Sequence, residues 1–362
     1  MRDTKQMLTY IAKRLVLMLI TFVIILTLCF FLIRLLPDNA AVAAPGSDPE
    51  VYYLYQVALG RYQVDPSAPE GYSKVNIFIQ YLNFWKNLFA PGSFVNASGE
   101  VVELSRFGYS WIIKPGYSPA EILVEKLPPT IIINLYTMII SIPVGLGLGI
   151  FMALKKNKWQ DHVLSVLIMV FISVPSFVYA LLLQMSVYAT GMNNVLPPLM
   201  AGNIAVDPNG NPDWFAWETT SAMILPIIAM SLGTIAGFAR YTRAELTEVL
   251  TSDFMLLART KGLTRSQATI RHALRNSLVP IFPMILGQFL SILSGSLVIE
   301  QIFGIPGVGA VFLNSIVSAK GADFDVFLFV GMFYTIIGLA GGIIVDLSYG
   351  FVDPRIRMGG GK

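Results

Sequence analysis

The sequence predicts an all-α protein that crosses a membrane several times, and two observations carry this. Hydrophobic residues make up 55% of the 362 and charged residues only 13%, against about 45–50% and about 25% in an average soluble domain. Six stretches without charge, 15–33, 131–154, 163–188, 219–239, 277–299 and 326–345, are each about as long as the roughly 20 helical residues a bilayer core takes. Helices follow because a span must satisfy its own backbone hydrogen bonds, and stretches this long and uniformly apolar do not fit barrel strands.

A formal net charge of +3 is too small to point to nucleic acid, so the informative feature is where the cations fall. Cys29 is the single cysteine, which leaves no internal disulfide to form. The first stretch follows Lys13 and Arg14 and is longer than the roughly 7–15 residues of a signal-peptide core. A retained anchor is expected, with Ala41-Val42-Ala43 the cleavage-like triplet set against it.

With the N-terminus inside, most Lys and Arg flank the inner ends of the spans. They are Arg2, Lys5, Lys13 and Arg14; Lys155, Lys156 and Lys158; Arg240, Arg243, Arg259, Lys261, Arg265, Arg271 and Arg275; and Arg355, Arg357 and Lys362. Both termini are therefore expected to be cytoplasmic. The expected division is an N-terminus with the first span (1–38), an extracytoplasmic segment (39–129), a five-helix core (130–350) with a cytoplasmic loop (240–277), and a cytoplasmic tail (351–362).

In the outer segment, an apolar-periodic stretch at 77–89 predicts a helix lying over the membrane mouth. The second outer loop, 193–217, carries Pro197, Pro198, Asp207-Pro208, Asn209-Gly210 and Pro212 and predicts an irregular cap. Gly304-Ile305-Pro306-Gly307-Val308-Gly309 predicts a break before a short amphipathic segment, 310–317. Asn96-Ala97-Ser98 fits a glycosylation sequon, a triplet that arises often by chance.

The loop from Ser252 to Pro280 is the most informative part. Lys261 and Gly262 suit a helix end, since the cation complements the dipole and glycine accepts the left-handed conformation. Thr264 and Gln267 match a capping box that starts a second helix. Asn276 and Ser277 are cap candidates before the fifth span, with Pro280 in its first turn. A short basic helix between sharp breaks suits docking in a partner's groove, with Leu263, Ile270 and Leu274 as apolar anchors. The alternative is a basic loop that binds anionic lipid headgroups.

Ala258-Arg259-Thr260-Lys261-Gly262-Leu263, followed by His272-Ala273-Leu274-Arg275-Asn276-Ser277-Leu278-Val279-Pro280, resembles the EAA loop of ABC-importer permeases, in the form typical of the dipeptide and oligopeptide branch. Further matches include Arg61-Tyr62, Gln80-Tyr81, Phe107-Gly108-Tyr109-Ser110, Leu127-Pro128-Pro129-Thr130, Pro175-Ser176-Phe177, Glu300 to Gly309, and Asp353-Pro354-Arg355-Ile356-Arg357. The resemblance implies a type I importer permease fold, with the first helix wrapping a core of five. It also implies a second, usually different permease chain, two ABC ATPase subunits, an extracytoplasmic substrate-binding protein and a bacterial or archaeal cytoplasmic membrane. Ala258, Lys261, Gly262, Leu263, Thr264, Ile270, His272 and Leu274 become the residues expected to couple to the ATPase. ATP and Mg are expected in that partner, and no cofactor in this chain. Independently, the sequence has no Gly-x-x-x-x-Gly-Lys-Ser/Thr phosphate loop. Two departures stand out: Leu256-Leu257-Ala258 replaces Glu-Ala-Ala, and the outer segment is long around 91–105.

Polar residues within the spans, Asn134, Gln184 and Gln288, are candidates for a substrate path, or equally for helix-to-helix hydrogen bonds. Gly145 with Gly149, Gly233 with Gly237, and Gly338 with Gly342 have the spacing of close helix contacts. His162 and His272 are too few and too isolated for a metal site. Asp346 is expected to be solvated or paired with an arginine at the membrane edge. Short peptides are the expected cargo; nickel, glutathione, haem or an oligosaccharide on the same machinery is the alternative. From other classes come a stand-alone secondary transporter, which needs buried charge relays or inverted repeats, and a membrane enzyme. Neither pattern is visible.

Overall fold

The computed structural model describes residues 2–36, 49–95, 101–317 and 321–352. The cleavage-like triplet, the sequon, the Asp353 to Arg357 motif and the rest of the C-terminal tail beyond Val352 lie outside the described residues. The chain divides into two compact units. One holds Pro129–Pro306, the beginning of the first helix up to Arg14 and the last helix from Ile337; the other holds Leu15–Pro128 and Gly307–Ile336.

The second unit begins in α1 (Arg2–Arg34), followed by α2 (Pro49–Ala58) and two small antiparallel pairs. β1 (Tyr62–Val64) pairs with β2 (Tyr72–Lys74), and β3 (Ser93–Val95) pairs with β4 (Val101–Glu103). Between the pairs lies α3 (Ile77–Phe89), with the bounds that periodicity predicts and with Asn76 capping it through Phe78 N. Its apolar core gathers Leu26, Phe30 and Ile33 of α1 around Phe84, Phe107, Phe324 and Phe327. The same unit holds a buried ion pair, Arg61 with Asp325, whose Oδ2 also accepts from Tyr55 OH at 3.4 Å. Asp323 is held likewise, its Oδ2 accepting from Ser110 Oγ at 2.6 Å and from Ile112 N and Ile113 N at 3.1 and 3.2 Å.

The first unit takes α4 (Pro119–Leu154) from Pro129 onward, together with α5 (Trp159–Ser173), α6 (Ser176–Thr190), α7 (Trp217–Leu250), α8 (Asp253–Thr260), α9 (Arg265–Ser277), α10 (Phe282–Leu293) and α11 (Leu297–Phe303). α12 (Val308–Ile316) lies in the second unit, and α13 (Phe324–Val352) contributes to both. Among the described residues, four helices, α1, α4, α7 and α13, are unbroken and long and apolar enough to span a membrane, and three bent pairs qualify jointly. Two of those pairs overlap the third and fifth predicted spans, 163–188 and 277–299, and the four unbroken helices overlap the other four.

Two of the predicted spans are broken. The 163–188 stretch becomes α5 and α6, bent by 98°. Pro175 has no N–H to donate and disfavours the helical conformation at Val174, whose ψ is 125°. The 277–299 stretch is divided among α9, α10 and α11, with a 52° bend before α10. Asn276 and Ser277, expected as caps, lie in the last turn of α9, and Ser277 Oγ donates to Leu274 O at 3.1 Å. Pro280 and Pro283 displace the start of the next helix to Phe282. In the other direction, α7 continues to Leu250, beyond the apolar limit at residue 239, because charge ends a membrane span without ending a helix.

The glycine pairs divide. At Gly145 and Gly149 a Cβ would stand 2.6 Å from Phe238 Cβ and 2.5 Å from Thr242 Cβ, so α4 and α7 meet closely there. Gly233 and Gly237 have only ordinary neighbours, and nothing lies within 4 Å of a Cβ at Gly338 or Gly342, so those two pairs are not contact sites. Asp346 pairs with Arg14 at 2.8 Å.

Candidate functional site

The candidate loop follows the charged end of α7. α8 lasts two turns before Gly262, whose φ of +87° lies in the left-handed region. Gly262 N donates to Arg259 O at 3.0 Å and Leu263 N to Ala258 O at 3.3 Å, the paired bonds that close a helix through a left-handed residue. A Cβ at Gly262 would meet nothing within 4 Å, so backbone conformation alone calls for glycine. Thr264 then starts α9: its Oγ1 accepts from Gln267 N at 3.3 Å, and Gln267 Oε1 accepts from Thr264 N at 3.1 Å. This is the predicted capping box. Within α9, Leu274 N donates to Thr269 O, which makes Thr269–Ala273 a π-helical turn inside the expected α-helix.

The loop has two faces. Met255, Ala258, Ala268 and Ala273 are buried with Ala153 of α4 and Leu246 of α7, and Leu263 and Leu274 pack against that cluster. Leu256 and Ile270, 64% and 62% exposed, and Leu257 point away from it, as do Arg259, Lys261, Arg265, Arg271, His272 and Arg275. The eight expected coupling residues therefore separate. Lys261, Gly262, Thr264, Ile270 and His272 are exposed, whereas Ala258, Leu263 and Leu274 belong to the loop's own footing. Leu263 and Leu274, expected as anchors for a partner, are half-buried and pack on the loop's own cluster. The small Ala268 and Ala273 let α9 sit close to α7, and the two leucines fill the flanks of that contact.

A second fixture holds the turn before α5. Arg243 of α7 grips Asp161 in two parallel bonds, Nε to Oδ1 at 2.5 Å and Nη2 to Oδ2 at 2.7 Å, and Oδ2 also accepts from Asn157 N at 3.1 Å. Asp161 is fully buried. Such forked, charge-assisted pairing fixes orientation as well as distance, so the α4–α5 turn is tied to the helix that leads into the loop. Sequence reading missed this pair, because its members stand 82 residues apart.

Of the polar residues proposed for a path, Asn134 donates to Thr130 O one turn earlier at 2.8 Å. Gln184 donates to Pro198 O at 2.8 Å and Ile302 O at 3.2 Å, which pins α11 and the loop after α6 to α6. Gln288 is half-buried, and its side chain has no hydrogen-bond partner among the described residues. Thr130 Oγ1 donates to the buried Glu300 at 3.0 Å, and Gly295, at φ +63°, leaves the room that the Glu300 carboxylate occupies. Among the described residues, no group of three His, Cys, Asp or Glu is placed to hold a metal ion.

Residues 145–358 match the family model described as binding-protein-dependent transport system inner membrane component. The chain is 30% identical over 349 residues, 96% of its length and 98% of the relative's, to the dipeptide transport system permease protein DppB of Bacillus subtilis (strain 168). It is 31% identical over 351 residues, 97% of its length and 100% of the relative's, to the oligopeptide transport system permease protein OppB of Escherichia coli (strain K12). A solved structure of the MetNI methionine ABC transporter, inward facing, aligns with a TM-score of 0.45 at 16% identity over 63% of this chain and 96% of that one. The family match and the near full-length relatives agree: this chain belongs to the inner membrane components of binding-protein-dependent transport systems, the permeases of ABC transporters.

Proposed function

We propose that this chain is the permease subunit of an ATP-driven importer of short peptides. It forms half of the translocation path with a second permease, a heterodimer by expectation, and works with two ATPase subunits and an extracytoplasmic binding protein. Its place is a bacterial or archaeal cytoplasmic membrane, with both termini inside. ATP and Mg are bound and used by the partner ATPase. The observation that carries the reading is the two-faced loop. One side is seated on α4 and α7 through Ala258, Leu263 and Leu274, and the other presents Ile270 and a row of cations outward.

Closure of the ATPase subunits pulls on the outward side, and the seated side passes the pull to α7. The Asp161–Arg243 clamp carries it on to α5. Gln288, whose side chain has no hydrogen-bond partner among the described residues, is the remaining candidate to face the cargo.

Uptake of labelled di- and tripeptides by cells carrying the native chain or Gly262→Pro tests this, after both are shown to reach the membrane equally. Proline fixes φ near −65° and removes the N–H that bonds Arg259 O, so the α8–α9 turn cannot form. Uptake is expected with the native chain and lost in the variant. Equal uptake by both would contradict the coupling role, and no uptake by either would redirect the cargo to nickel, glutathione, haem or a sugar.

A further inference from the structure

We propose that α3 lies in the bilayer interface beside the Arg34 end of α1, with Phe78, Leu82 and Phe89 inserted among lipid acyl chains. Ten side chains of the helix fall into three bands, and a fourth side carries the exposed Ile79 and Lys86. On one side, Gln80 Nε2 donates to Val75 O at 2.7 Å, Asn83 Nδ2 to Gly60 O at 2.9 Å and Asn87 Nδ2 to Leu59 O at 3.1 Å. The next band, with Tyr81, Phe84, Trp85 and Leu88, packs into the aromatic core around Phe30 and Phe31 of α1. Phe78, Leu82 and Phe89 form the third; they fall within about 40° of one another at 3.6 residues per turn and are 67%, 66% and 77% exposed. The amides are thus turned to protein and the large apolar groups away from it, the reverse of a helix facing water.

Depth is set by α1. Tyr81 OH lies 2.7 Å from Thr27 Oγ1, and Thr27 precedes the end of the span at Arg34 by about two turns, roughly 10 Å along the axis. Phe31, a turn nearer that end, packs on Phe78 and Tyr81 at ring-centroid distances of 5.8 and 5.4 Å. A side chain of α3 therefore reaches below the end of a membrane span. This puts the helix where headgroups meet acyl chains, the level at which interfacial helices bury an apolar face by about 5–10 Å and where Tyr and Trp collect.

The occupant is lipid because the patch continues a lipid face. On α1, Leu28 and Leu35 lie one turn to either side of Phe31 and share its face. Both are exposed, on a span only 17% buried within the protein. From Leu28 through Phe31 to Phe78, the apolar surface is continuous.

The test uses the full chain in its assembled transporter in lipid nanodiscs, with a spin label at Leu82→Cys in a Cys29→Ala background. Collision rates are measured with molecular oxygen, which concentrates among acyl chains, and with a water-soluble nickel chelate. Labels at Leu28→Cys and at Ser67→Cys, an exposed turn residue, give the lipid and water references. The expected ratio of oxygen to nickel collisions at position 82 matches position 28 and is several-fold above position 67. A ratio like that at position 67 would overturn the proposal, and so would a label shielded from both reagents, which would mark a protein partner over the patch.

Discussion

In the candidate coupling loop the chain turns through bonds between near neighbours, Thr264 with Gln267 and Leu263 with Ala258. The segment after α1 is held instead by side chains whose partners lie far along the chain: Arg61 meets Asp325, 264 residues away, and Ser110 meets Asp323, 213 residues away. The difference bears on how each region works. Local caps would let the loop keep its shape under the proposed pull of an ATPase, because no bond that defines the turn has to cross to another element. Long-range buried charges make the segment after α1 cooperative, since an ion left without its partner in a low-dielectric interior is costly.

The largest effect is expected where that cooperativity is broken. Arg61→Ala leaves Asp325 buried without its cation, and truncating one partner of a buried pair costs about 3–5 kcal/mol. Thermal unfolding of the detergent-solubilised chain, with proteolysis of residues 49–118 as a local readout, checks this. A loss no larger than that of an exposed-residue control would make the pair incidental.

Next comes Gly145→Ala, whose Cβ would stand 2.6 Å from Phe238 Cβ and 2.9 Å from Ile235 O. Overfilling a tight contact costs about 1–3 kcal/mol, read as a lowered Tm. Gly338→Ala, with nothing within 4 Å of its Cβ, is the matched control and is expected to leave Tm unchanged or raise it.

Thr264→Ala removes one half of the capping box, at a cost of about 1 kcal/mol. If the loop is built locally, the loss appears as faster hydrogen exchange confined to α9, and slower folding of the outer segment would be evidence against local construction.

The smallest effect is a change of slope. Burial pushes the Asp323 carboxyl above its ordinary 3.8, although three donors hold it. A raised folded-state value means a stabilising contribution that is complete below the unfolded value and fades as pH rises through the folded one. Asp323→Asn keeps an accepting oxygen and removes the titration, so stability of the outer segment is expected to vary less with pH across that acid window than in the native chain. An unchanged slope would show that Asp323 does not titrate there.

The same contrast explains what the sequence made legible. α3, the Gly262 turn and the Thr264–Gln267 box were readable because their signals lie within a few residues of one another. The pairings Arg61–Asp325, Arg243–Asp161 and Thr130–Glu300 leave no mark at any fixed spacing. The bend at Pro175 was hidden differently, since hydropathy runs smoothly through 163–188 and a sum over the window overrides one missing N–H. For the site, motif and position were legible, whereas the faces of Leu263 and Leu274 depended on α7 lying beside them.

The most direct test of the coupling account is photocrosslinking in native membranes, with a photoreactive residue placed at Ile270 or at Leu274. Ile270 is exposed and Leu274 packs on the loop's own cluster, so an adduct of this chain with an ATPase subunit is predicted from position 270 and not from position 274. Adducts from 274 alone, or none from 270 in membranes where the transporter is assembled, would contradict the account.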